Sequence, residues 1–380
     1  MTVLIDTFLN TADIHAEQRG RIGFLSLNRP QALNALSLEM VRKLYAILDI
    51  WRESQDIAAI ALRGNSRSGP FGTFCAGGDL RFFYEQTLQE NPQVGNFFTE
   101  EYALDALIHA YPKPVIACMD GIVMGGGMGL AQGASHRIVT ERSQLAMPET
   151  RIGFLPDVGG GYFLSRCPGY AGEWLGLTGN TVSGADALTI GWADHFLPST
   201  RLPEFWQQLA EKEWNDSAEV AQWVAHSLDP APAVSDDFVH GLRQADRYFA
   251  GADPVTIVHA LEQAEGDIWA QATAATLCQR SPLMLHVVLR QIRSGRALSY
   301  AQNIYRERDM VHHCFHPDHL ERTPRHSEVI EGIRALVIDK DQRPLWQPAR
   351  MEDVTPEMVD GFFAEVWRSG EHPLRQLLQS

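Results

Sequence analysis

Two acidic residues, Glu149 and Asp157, lie in the stretch MPETRIGFLPDVGGGY, which runs from residue 147 to residue 162. Acidic side chains are usually solvated, but the residues around these two are largely apolar: Ile152, Phe154, Leu155 and Val158. Desolvation would raise the pKa of either carboxyl group and allow proton transfer or nucleophilic attack near neutral pH. The alternative is structural, since an acid stabilises a helix N-terminus and a Pro-Asp pair is common in turns.

Two glycine-rich segments suggest a second part of a reactive site. FCAGGDL (residues 74–80) follows a polar loop, and GIVMGGGMGL (residues 121–130) follows an apolar strand. Each places backbone without bulky side chains where a strand ends and a helix begins, so free N–H groups point outward and the helix dipole favours negative charge. Two such turns can direct two N–H donors at one oxygen, which forms an oxyanion hole. The glycines alone are equally compatible with tightly packed turns.

A nucleotide site is the competing interpretation of these glycines. GGGMG does not fit GxGxxG in register, no Lys-Ser or Lys-Thr pair follows it, and it lies far from the first predicted strand. The pattern therefore argues against a dinucleotide-binding or P-loop site.

The composition limits the partners and the compartment. The 380 residues are 45% hydrophobic and 21% charged, with a formal charge of -15 and no Lys/Arg-rich block, which argues against a nucleic-acid or anionic-membrane partner. Five scattered cysteines without a CxxC pair favour a reducing compartment. MTVLIDTFLN lacks a basic region followed by a long apolar run, and no apolar stretch approaches the roughly 20 residues of a membrane span. These features predict a soluble, cytoplasmic protein.

The first two hundred residues alternate predicted strands with amphipathic helices. A helix in SLEMVRKLYAILDIWRESQ has Ser37 as its predicted N-cap. This alternation indicates an α/β architecture with mostly parallel strands. From about Leu202 the periods become helical. We therefore predict a catalytic core over residues 1–201 and a mainly helical region over residues 202–380 that packs on the core. The predicted strands lie in GRIGFLSLNRP, IAAIALRGN, KPVIACMDGIVM and HRIVTE.

Four segments together carry a specific resemblance: NRPQALNAL, FCAGGDL, KPVIACMDGIVMGGGMGL and AMPETRIGFLPDVGGGYFLSR. Their order and spacing resemble the crotonase (enoyl-CoA hydratase/isomerase) superfamily. SPLMLHVVLRQ and IEGIRALVIDKDQRPLWQPA extend the likeness over nearly the whole chain, and they are similar to the branch of 3-hydroxyisobutyryl-CoA hydrolases. The resemblance implies a crotonase-type spiral of ββα units with an extended helical C-terminal region. It also implies an acyl-CoA substrate and no metal or redox cofactor, and it leaves a homo-oligomer open.

The resemblance also assigns roles to individual residues. It implies that the thioester oxygen accepts hydrogen bonds from the backbone N–H groups of Ala76 and Gly126, and that Glu149 and Asp157 are the catalytic carboxylates. Four further positions are implied to bind substrate, although Glu101 lies in an amphipathic helix, where a glutamate is more often solvated. These positions are Glu101 near the acyl group, Gly125, and Arg29 and Ala32 near the nucleotide end of CoA.

One departure from the hydratases favours hydrolysis. Hydratases pair two glutamates, and the position of the first, after the GGG turn, is Gly129 in this chain. Asp157 stands where hydratases usually have glycine. Hydration of a double bond would thus lack half of its acid–base pair. The expected reaction releases a short 3-hydroxy acid, such as 3-hydroxyisobutyrate of valine breakdown, and CoA.

The sequence leaves the chemical route open. Glu149 either attacks the thioester to form an anhydride or acts as general base for water, and Asp157 either orients the substrate hydroxyl or assists proton transfer. Two other functions remain as alternatives: another crotonase reaction on an enoyl-CoA, and a catalytically silent acyl-CoA-binding protein.

Three other features have structural interpretations. VHHCFHPDH (residues 311–319) gathers four histidines and a cysteine, but its spacing matches no closed zinc site. We interpret it as a solvated insertion or loop and expect no metal. Asp79 is predicted to be an N-cap, and Cys75 a small core residue.

Overall fold

The computed structural model describes residues 11–368 and 370–379. These residues form two compact units. The first, here called the sheet unit, contains the described residues up to Gly78 together with residues 103–146 and 181–235. The second, the helical unit, contains residues 79–102, residues 147–180 and the described residues from 236 onward.

The strands of the sheet unit form two sheets. The larger has the order β1-β2-β3-β5-β7-β10, with β4 paired to β3, and the smaller has the order β6-β8-β9. In the larger sheet β1 is antiparallel to β2, whereas β2, β3, β5, β7 and β10 are parallel. The strands are β1 Ile14–Arg19, β2 Ile22–Leu27, β3 Ala59–Ser66, β4 Gly69–Pro70, β5 Val115–Met119, β6 Ile122–Met124, β7 His136–Val139, β8 Gln144–Ala146, β9 Val182–Ser183 and β10 His195–Phe196.

Sixteen α-helices are numbered here in chain order within the described residues. None of them is both long and apolar enough to cross a membrane. They are α1 Leu38–Glu53, α2 Leu80–Leu88, α3 Gln93–His109, α4 Gly126–Gln132, α5 Gly160–Leu164, α6 Ala171–Thr178, α7 Gly184–Thr189, α8 Leu202–Glu211, α9 Ser217–His226, α10 Asp236–Tyr248, α11 Pro254–Glu262, α12 Ile268–Leu277, α13 Pro282–Gly295, α14 Tyr300–Phe315, α15 Glu328–Ile333 and α16 Pro356–Phe362. Short 3-10 turns lie at Pro30–Ala32, Glu149–Ile152, Ser199–Arg201, Asp318–Leu320, Pro324–His326, Met351–Asp353 and Arg375–Leu378, and a π-helical turn at Arg334–Ile338.

Local sequence signals explain the elements of the α/β core. Every residue of β2 and β5 is buried, as expected for parallel strands covered on both faces, whose sequences are continuously apolar. The predicted N-cap of α1 is confirmed, since the Ser37 side chain accepts a hydrogen bond from the Met40 N–H at 3.2 Å. Asp79 is likewise the N-cap of α2, accepting from the Phe82 N–H at 3.3 Å.

The division into units differs from the predicted boundary between residues 201 and 202. Helices α8 and α9 belong to the sheet unit, because their apolar faces bury aromatic residues against the larger sheet. The Trp206 ring lies 4.8 Å from the Phe24 ring and 5.7 Å from the Phe71 ring, measured between centroids. These contacts join residues 202–235 to the sheet.

The histidine-rich segment is not the predicted loop over its first half. Residues 311–315 form the end of α14, and Val311, Cys314 and Phe315 are buried. Their spacing of three and four positions is the apolar period of a helix, which the histidines between them obscure. Within residues 11–368 and 370–379, no group of three or more His, Cys, Asp or Glu side chains is arranged to hold a metal ion.

Candidate active site

Backbone hydrogen bonds bring the two glycine-rich turns of the sheet unit together. Cys75 and Val123 form an isolated parallel bridge, in which the Cys75 N–H donates to the Ile122 carbonyl at 3.0 Å and the Met124 N–H donates to the Cys75 carbonyl at 2.9 Å. A Cβ added to Gly127 would lie 2.3 Å from the Cys75 carbonyl oxygen. Only a glycine at position 127 allows the two turns to pack this closely. The glycines that present backbone N–H groups are therefore also required for packing.

The second turn presents an N–H group at the start of α4. Gly125 has φ 50° and ψ -123°, a conformation outside the regions that residues with a side chain favour. The helix begins at Gly126, and the Gly126 N–H has no acceptor among the described residues. A Cβ added to Gly77 would lie 3.5 Å from the Gly126 nitrogen, and Gly77 itself has φ 103°. The first turn therefore passes directly beside the Gly126 amide.

The assignment of Ala76 as the other oxyanion donor is not supported by the geometry. The Ala76 N–H donates to the Leu33 carbonyl oxygen at 3.0 Å, so it is already used within the sheet unit. The Gly78 N–H, two residues further on, has no acceptor in the part of the chain that the structure describes. Gly78 is the donor that this turn leaves available.

Glu149 opens the 3-10 turn Glu149–Ile152 of the helical unit. Its side chain is 6% exposed, and its Oε2 atom has no hydrogen-bond partner among the described residues. Burial, with the charge of Asp157 as the next cause, holds the pKa of Glu149 well above its ordinary value. A buried polar atom without a partner costs about 1–3 kcal/mol, and such atoms in native proteins often mark a functional site.

Asp157 is buried near Glu149 in the same unit and has a specific donor. The Tyr102 hydroxyl donates to Asp157 Oδ2 at 2.7 Å. Burial raises the pKa of Asp157, whereas the hydrogen bond from Tyr102 acts in the opposite direction because it stabilises the ionised form. Of the two carboxyl groups, Asp157 is therefore the one whose ionised form has a hydrogen-bond donor, and its negative charge opposes the ionisation of Glu149.

The turn that carries Asp157 is held by a residue far along the chain. Glu307 of α14 accepts hydrogen bonds from the N–H groups of Gly159 and Gly161, both at 2.8 Å. Val158 adopts φ 52°, a left-handed conformation that is costly for a β-branched residue. The clamp by Glu307 stabilises this strained turn and so fixes the position of Asp157.

The implied substrate-binding residues differ in their surroundings. Glu101 is only 2% exposed, so the expectation of a solvated glutamate is wrong. Arg29 is half-buried, and its Nη1 atom donates to the Ala35 carbonyl at 3.0 Å. The Ala32 N–H donates to the Arg29 carbonyl at 3.0 Å, and the Ala32 carbonyl oxygen accepts from the Ala35 N–H at 2.9 Å, so both backbone groups of Ala32 already have partners in this turn. The substrate-binding roles of Glu101, Gly125, Arg29 and Ala32 stay predictions from the sequence.

Two functional candidates were missed by the sequence reasoning. Tyr102 follows Glu101 directly, and an aromatic residue at that place in α3 is indistinguishable from an ordinary core residue. Glu307 lies between Arg306 and Arg308, a charge pattern typical of a solvated helix face. The only signal for Glu307 in the sequence is its place among the apolar positions of α14, four residues before Val311 and three after Ile304.

The fold and the residues above define an acyl-CoA enzyme of the crotonase type, and the chain belongs to the enoyl-CoA hydratase/isomerase family, whose family model matches residues 22–363. Among the curated proteins, it is 36% identical to 3-hydroxyisobutyryl-CoA hydrolase 1 of Arabidopsis thaliana over 365 residues, which cover 95% of this chain and 93% of that protein. It is 34% identical to the mitochondrial 3-hydroxyisobutyryl-CoA hydrolase of Gallus gallus, over 93% of this chain and 89% of that protein.

Solved structures confirm the predicted α/β crotonase-type fold. A carnitinyl-CoA dehydratase from Mycobacterium thermoresistibile superposes with a TM-score of 0.83 and 33% identity, over 94% of this chain and 97% of that one. An enoyl-CoA hydratase from Rhodobacter sphaeroides superposes with a TM-score of 0.78 and 33% identity, over 93% and 98% of the two chains. The match spans the helical second half as well as the core.

Proposed function

We propose that this enzyme hydrolyses 3-hydroxyisobutyryl-CoA to 3-hydroxyisobutyrate and CoA. The observation that carries the proposal is the pair of buried carboxylates, Glu149 and Asp157, in a chain with Gly129 at the place of the first hydratase glutamate. The relatives named 3-hydroxyisobutyryl-CoA hydrolase support it, since the likeness to them extends over nearly the full length of both chains.

Each group has a role in this reaction. The N–H groups of Gly126 and Gly78 stabilise the negative charge that develops on the thioester oxygen, a contribution that typically lowers the barrier by about 3–4 kcal/mol per donor. Glu149 acts in its ionised form on the carbonyl carbon or on water. Asp157, held by Tyr102, orients the 3-hydroxyl group of the substrate.

Two routes share these roles. In the first, Glu149 attacks the thioester carbon, the C–S bond breaks, the CoA thiolate takes a proton, and water then hydrolyses the mixed anhydride. In the second, Glu149 removes a proton from water as the water oxygen attacks, and the same C–S bond breaks. A single turnover in H2(18)O followed by mass spectrometry of peptides containing Glu149 separates them. Label in the Glu149 side chain supports the anhydride. Label in the acid product alone fits the general base and also an anhydride opened at the substrate carbonyl, and trapping an acyl-enzyme by rapid-quench mass spectrometry separates these two.

The function is tested by thiol release from 3-hydroxyisobutyryl-CoA, 3-hydroxypropionyl-CoA and crotonyl-CoA. Wild type is expected to release CoA from the hydroxyacyl thioesters, and Glu149→Gln to lose at least about a thousandfold in kcat, the scale set by removing an essential nucleophile or base. Glu357→Gln, which changes an exposed glutamate of α16, is the matched control and should keep wild-type rates. Thiol release that is absent, or indifferent to Glu149, would refute the proposal.

Hydration or dehydration of an acyl-CoA is the second candidate, because the two superposed structures carry the names of a hydratase and a dehydratase. The same assay separates it from hydrolysis. Loss of the crotonyl-CoA double bond without release of thiol would favour it. Tight CoA binding without turnover of any substrate, unchanged in Glu149→Gln, would instead favour a silent binding protein.

We further propose that the reaction needs no cofactor, since carboxylates and backbone donors suffice for thioester hydrolysis. The cytoplasmic location and the homo-oligomer remain predictions from the sequence; the relative from Gallus gallus is named mitochondrial.

A further inference from the structure

The helical unit contains a cavity whose lining includes two arginines and a tryptophan. Its volume is about 260 Å³. The 3-10 turn Glu149–Ile152 contributes Arg151, the segment before α13 contributes Arg280, and the chain after the π-helical turn contributes Trp346. None of the described residues that line the cavity is acidic.

The two arginines carry charges that no carboxylate neutralises within the described residues. Arg280 donates through Nε and Nη2 to the Thr178 carbonyl at 3.0 and 2.7 Å, and Arg151 donates through Nη2 to the Gln342 side-chain oxygen at 3.2 Å. Both acceptors are neutral. Neither arginine forms an ion pair in the part of the chain that the structure describes.

A third arginine, in the π-helical turn of the same unit, shows how carboxylates neutralise such a charge. Arg334 forms ion pairs with Glu331, Asp339 and Asp341. Arg151 and Arg280 instead face each other's charge, and burial, followed by the charge of Arg151, lowers the pKa of Arg280 to about 10. Arg151 is exposed and Arg280 is half-buried, so water solvates the second charge poorly, and an anion between the two guanidinium groups would offset their repulsion.

The free donors and the apolar wall specify the anion further. Nη1 of Arg280 and the Nε and Nη1 atoms of Arg151 make no hydrogen bond to the described residues, and guanidinium groups bind carboxylate and phosphate oxygens in pairs. Apolar groups also line the cavity, and Trp346 packs against the turn at Gly153, where an added Cβ would meet the indole at 2.8 Å. These apolar groups are Ala335, Leu336, Pro344 and the Trp346 indole.

We propose that this cavity binds a small oxyanion, a carboxylate or a phosphate, between Arg151 and Arg280. The volume corresponds to about nine water molecules, which admits a short acid or inorganic phosphate and is too small for a complete acyl-CoA. The proposal rests on the lining of this cavity alone and does not depend on the proposed reaction.

The site also has a direct link to the candidate active site. Arg151 lies in the same single turn as Glu149. An anion that fixes the Arg151 side chain stabilises the turn that carries the carboxylate.

Isothermal titration of the whole protein in low-salt buffer tests the proposal, with inorganic phosphate and 3-hydroxyisobutyrate as separate probes. We expect one site for at least one probe. Arg151→Gln and Arg280→Gln should each weaken binding at least about tenfold, the loss expected for one charge-assisted hydrogen bond. Arg247→Gln, which removes the same charge from an exposed position of α10, is the matched control and should leave the affinity unchanged.

A second comparison identifies the source of the oxyanion. Trp346→Ala should weaken binding of the hydroxy acid, whose carbon chain contacts the indole, more than binding of phosphate if the occupant is an organic acid. If Trp346→Ala binds each probe with the same affinity as wild type does, the indole does not contact the occupant and the site is assigned to phosphate. Thermal unfolding confirms that each variant is folded, and Arg151→Lys, which keeps the charge, should retain part of the affinity.

The proposal is overturned if neither probe binds at millimolar concentration, or if Arg247→Gln weakens binding as much as Arg151→Gln. The second result would show that only the net charge of the protein matters.

Discussion

The burial of Glu307 predicts a pH dependence of stability that can be worked out from the structure. The side chain is fully buried, and burial raises its pKa from the ordinary 4.5 to about 7 despite the N–H donors of Gly161 and Gly159. Because the folded pKa is the higher one, the stabilising contribution is fully present below pH 4.5 and is lost as the pH rises through 7. At about 1.4 kcal/mol per pH unit, the loss is about 3 kcal/mol.

Glu307→Gln removes this titration. The amide has one acceptor oxygen for two backbone donors, so the substitution costs about 1–3 kcal/mol at every pH. Wild type, however, loses about 2.5 kcal/mol between pH 5 and pH 8.5 that the variant does not lose. The stability difference between the two proteins should therefore shrink, or change sign, as the pH rises.

The assay is urea unfolding followed by tryptophan fluorescence at pH 5, 6, 7 and 8.5. Glu357→Gln, at an exposed position of α16, serves as the control and should follow wild type throughout. A difference between wild type and Glu307→Gln that stays constant over this range would refute the reasoning. It would show that Glu307 is ionised at every pH tested and that its three hydrogen-bond donors, the third being the Gln291 side chain at 3.1 Å, outweigh the cost of burial.

Three further predictions concern activity. Tyr102→Phe removes the hydrogen-bond donor to Asp157, so kcat/KM should fall about tenfold or more and the pKa of Asp157 should rise. A pH–rate profile that does not move toward higher pH would contradict this role of Tyr102. Asp157→Asn removes the charge that raises the pKa of Glu149, so the acid limb of the same profile should move to lower pH, and a limb that stays in place would exclude the coupling. Gly77→Ala places a Cβ beside the Gly126 amide at a residue with φ 103°, and it should lower kcat at least about tenfold. The control Gly72→Ala has a similar φ of 90° but lies away from that amide, so it should lower stability alone. Equal kcat values for the two variants would argue against a catalytic role of the turn.

The elements that the sequence predicted correctly are those whose signals are local. The Ser37 cap, the apolar run of β2 and the period of α1 each lie within a few residues of the element they specify. The attachment of α8 to the sheet was not predictable in this way, because it depends on Trp206 meeting Phe24, which lies far away in the sequence. A helical period shows which face is apolar but not what covers that face.

The same distinction explains the error at the oxyanion turn. The residue pattern FCAGGDL located the turn, but the register of its donors depends on which N–H groups the rest of the chain has already used. The carbonyl oxygen of Leu33 accepts the Ala76 N–H, and no side-chain pattern in the turn records that contact. Backbone donors can therefore be located by sequence to within a turn, and to a single residue only from coordinates.

The positioning of the carboxylates shows why this limit matters for function. Asp157 lies in a turn with a strained Val158, and the groups that hold this turn come from α3, α13 and α14: Tyr102 on the carboxylate, Gln291 on the Pro156 carbonyl at 2.7 Å, and Glu307 on the following N–H groups. Desolvated carboxylates repel each other, so a site with Glu149 and Asp157 close together is stable only if donors from outside the motif compensate. The helical second half supplies two of these three contacts. The extended C-terminal region therefore does more than cover the core, because Gln291 and Glu307 hold the turn that carries Asp157.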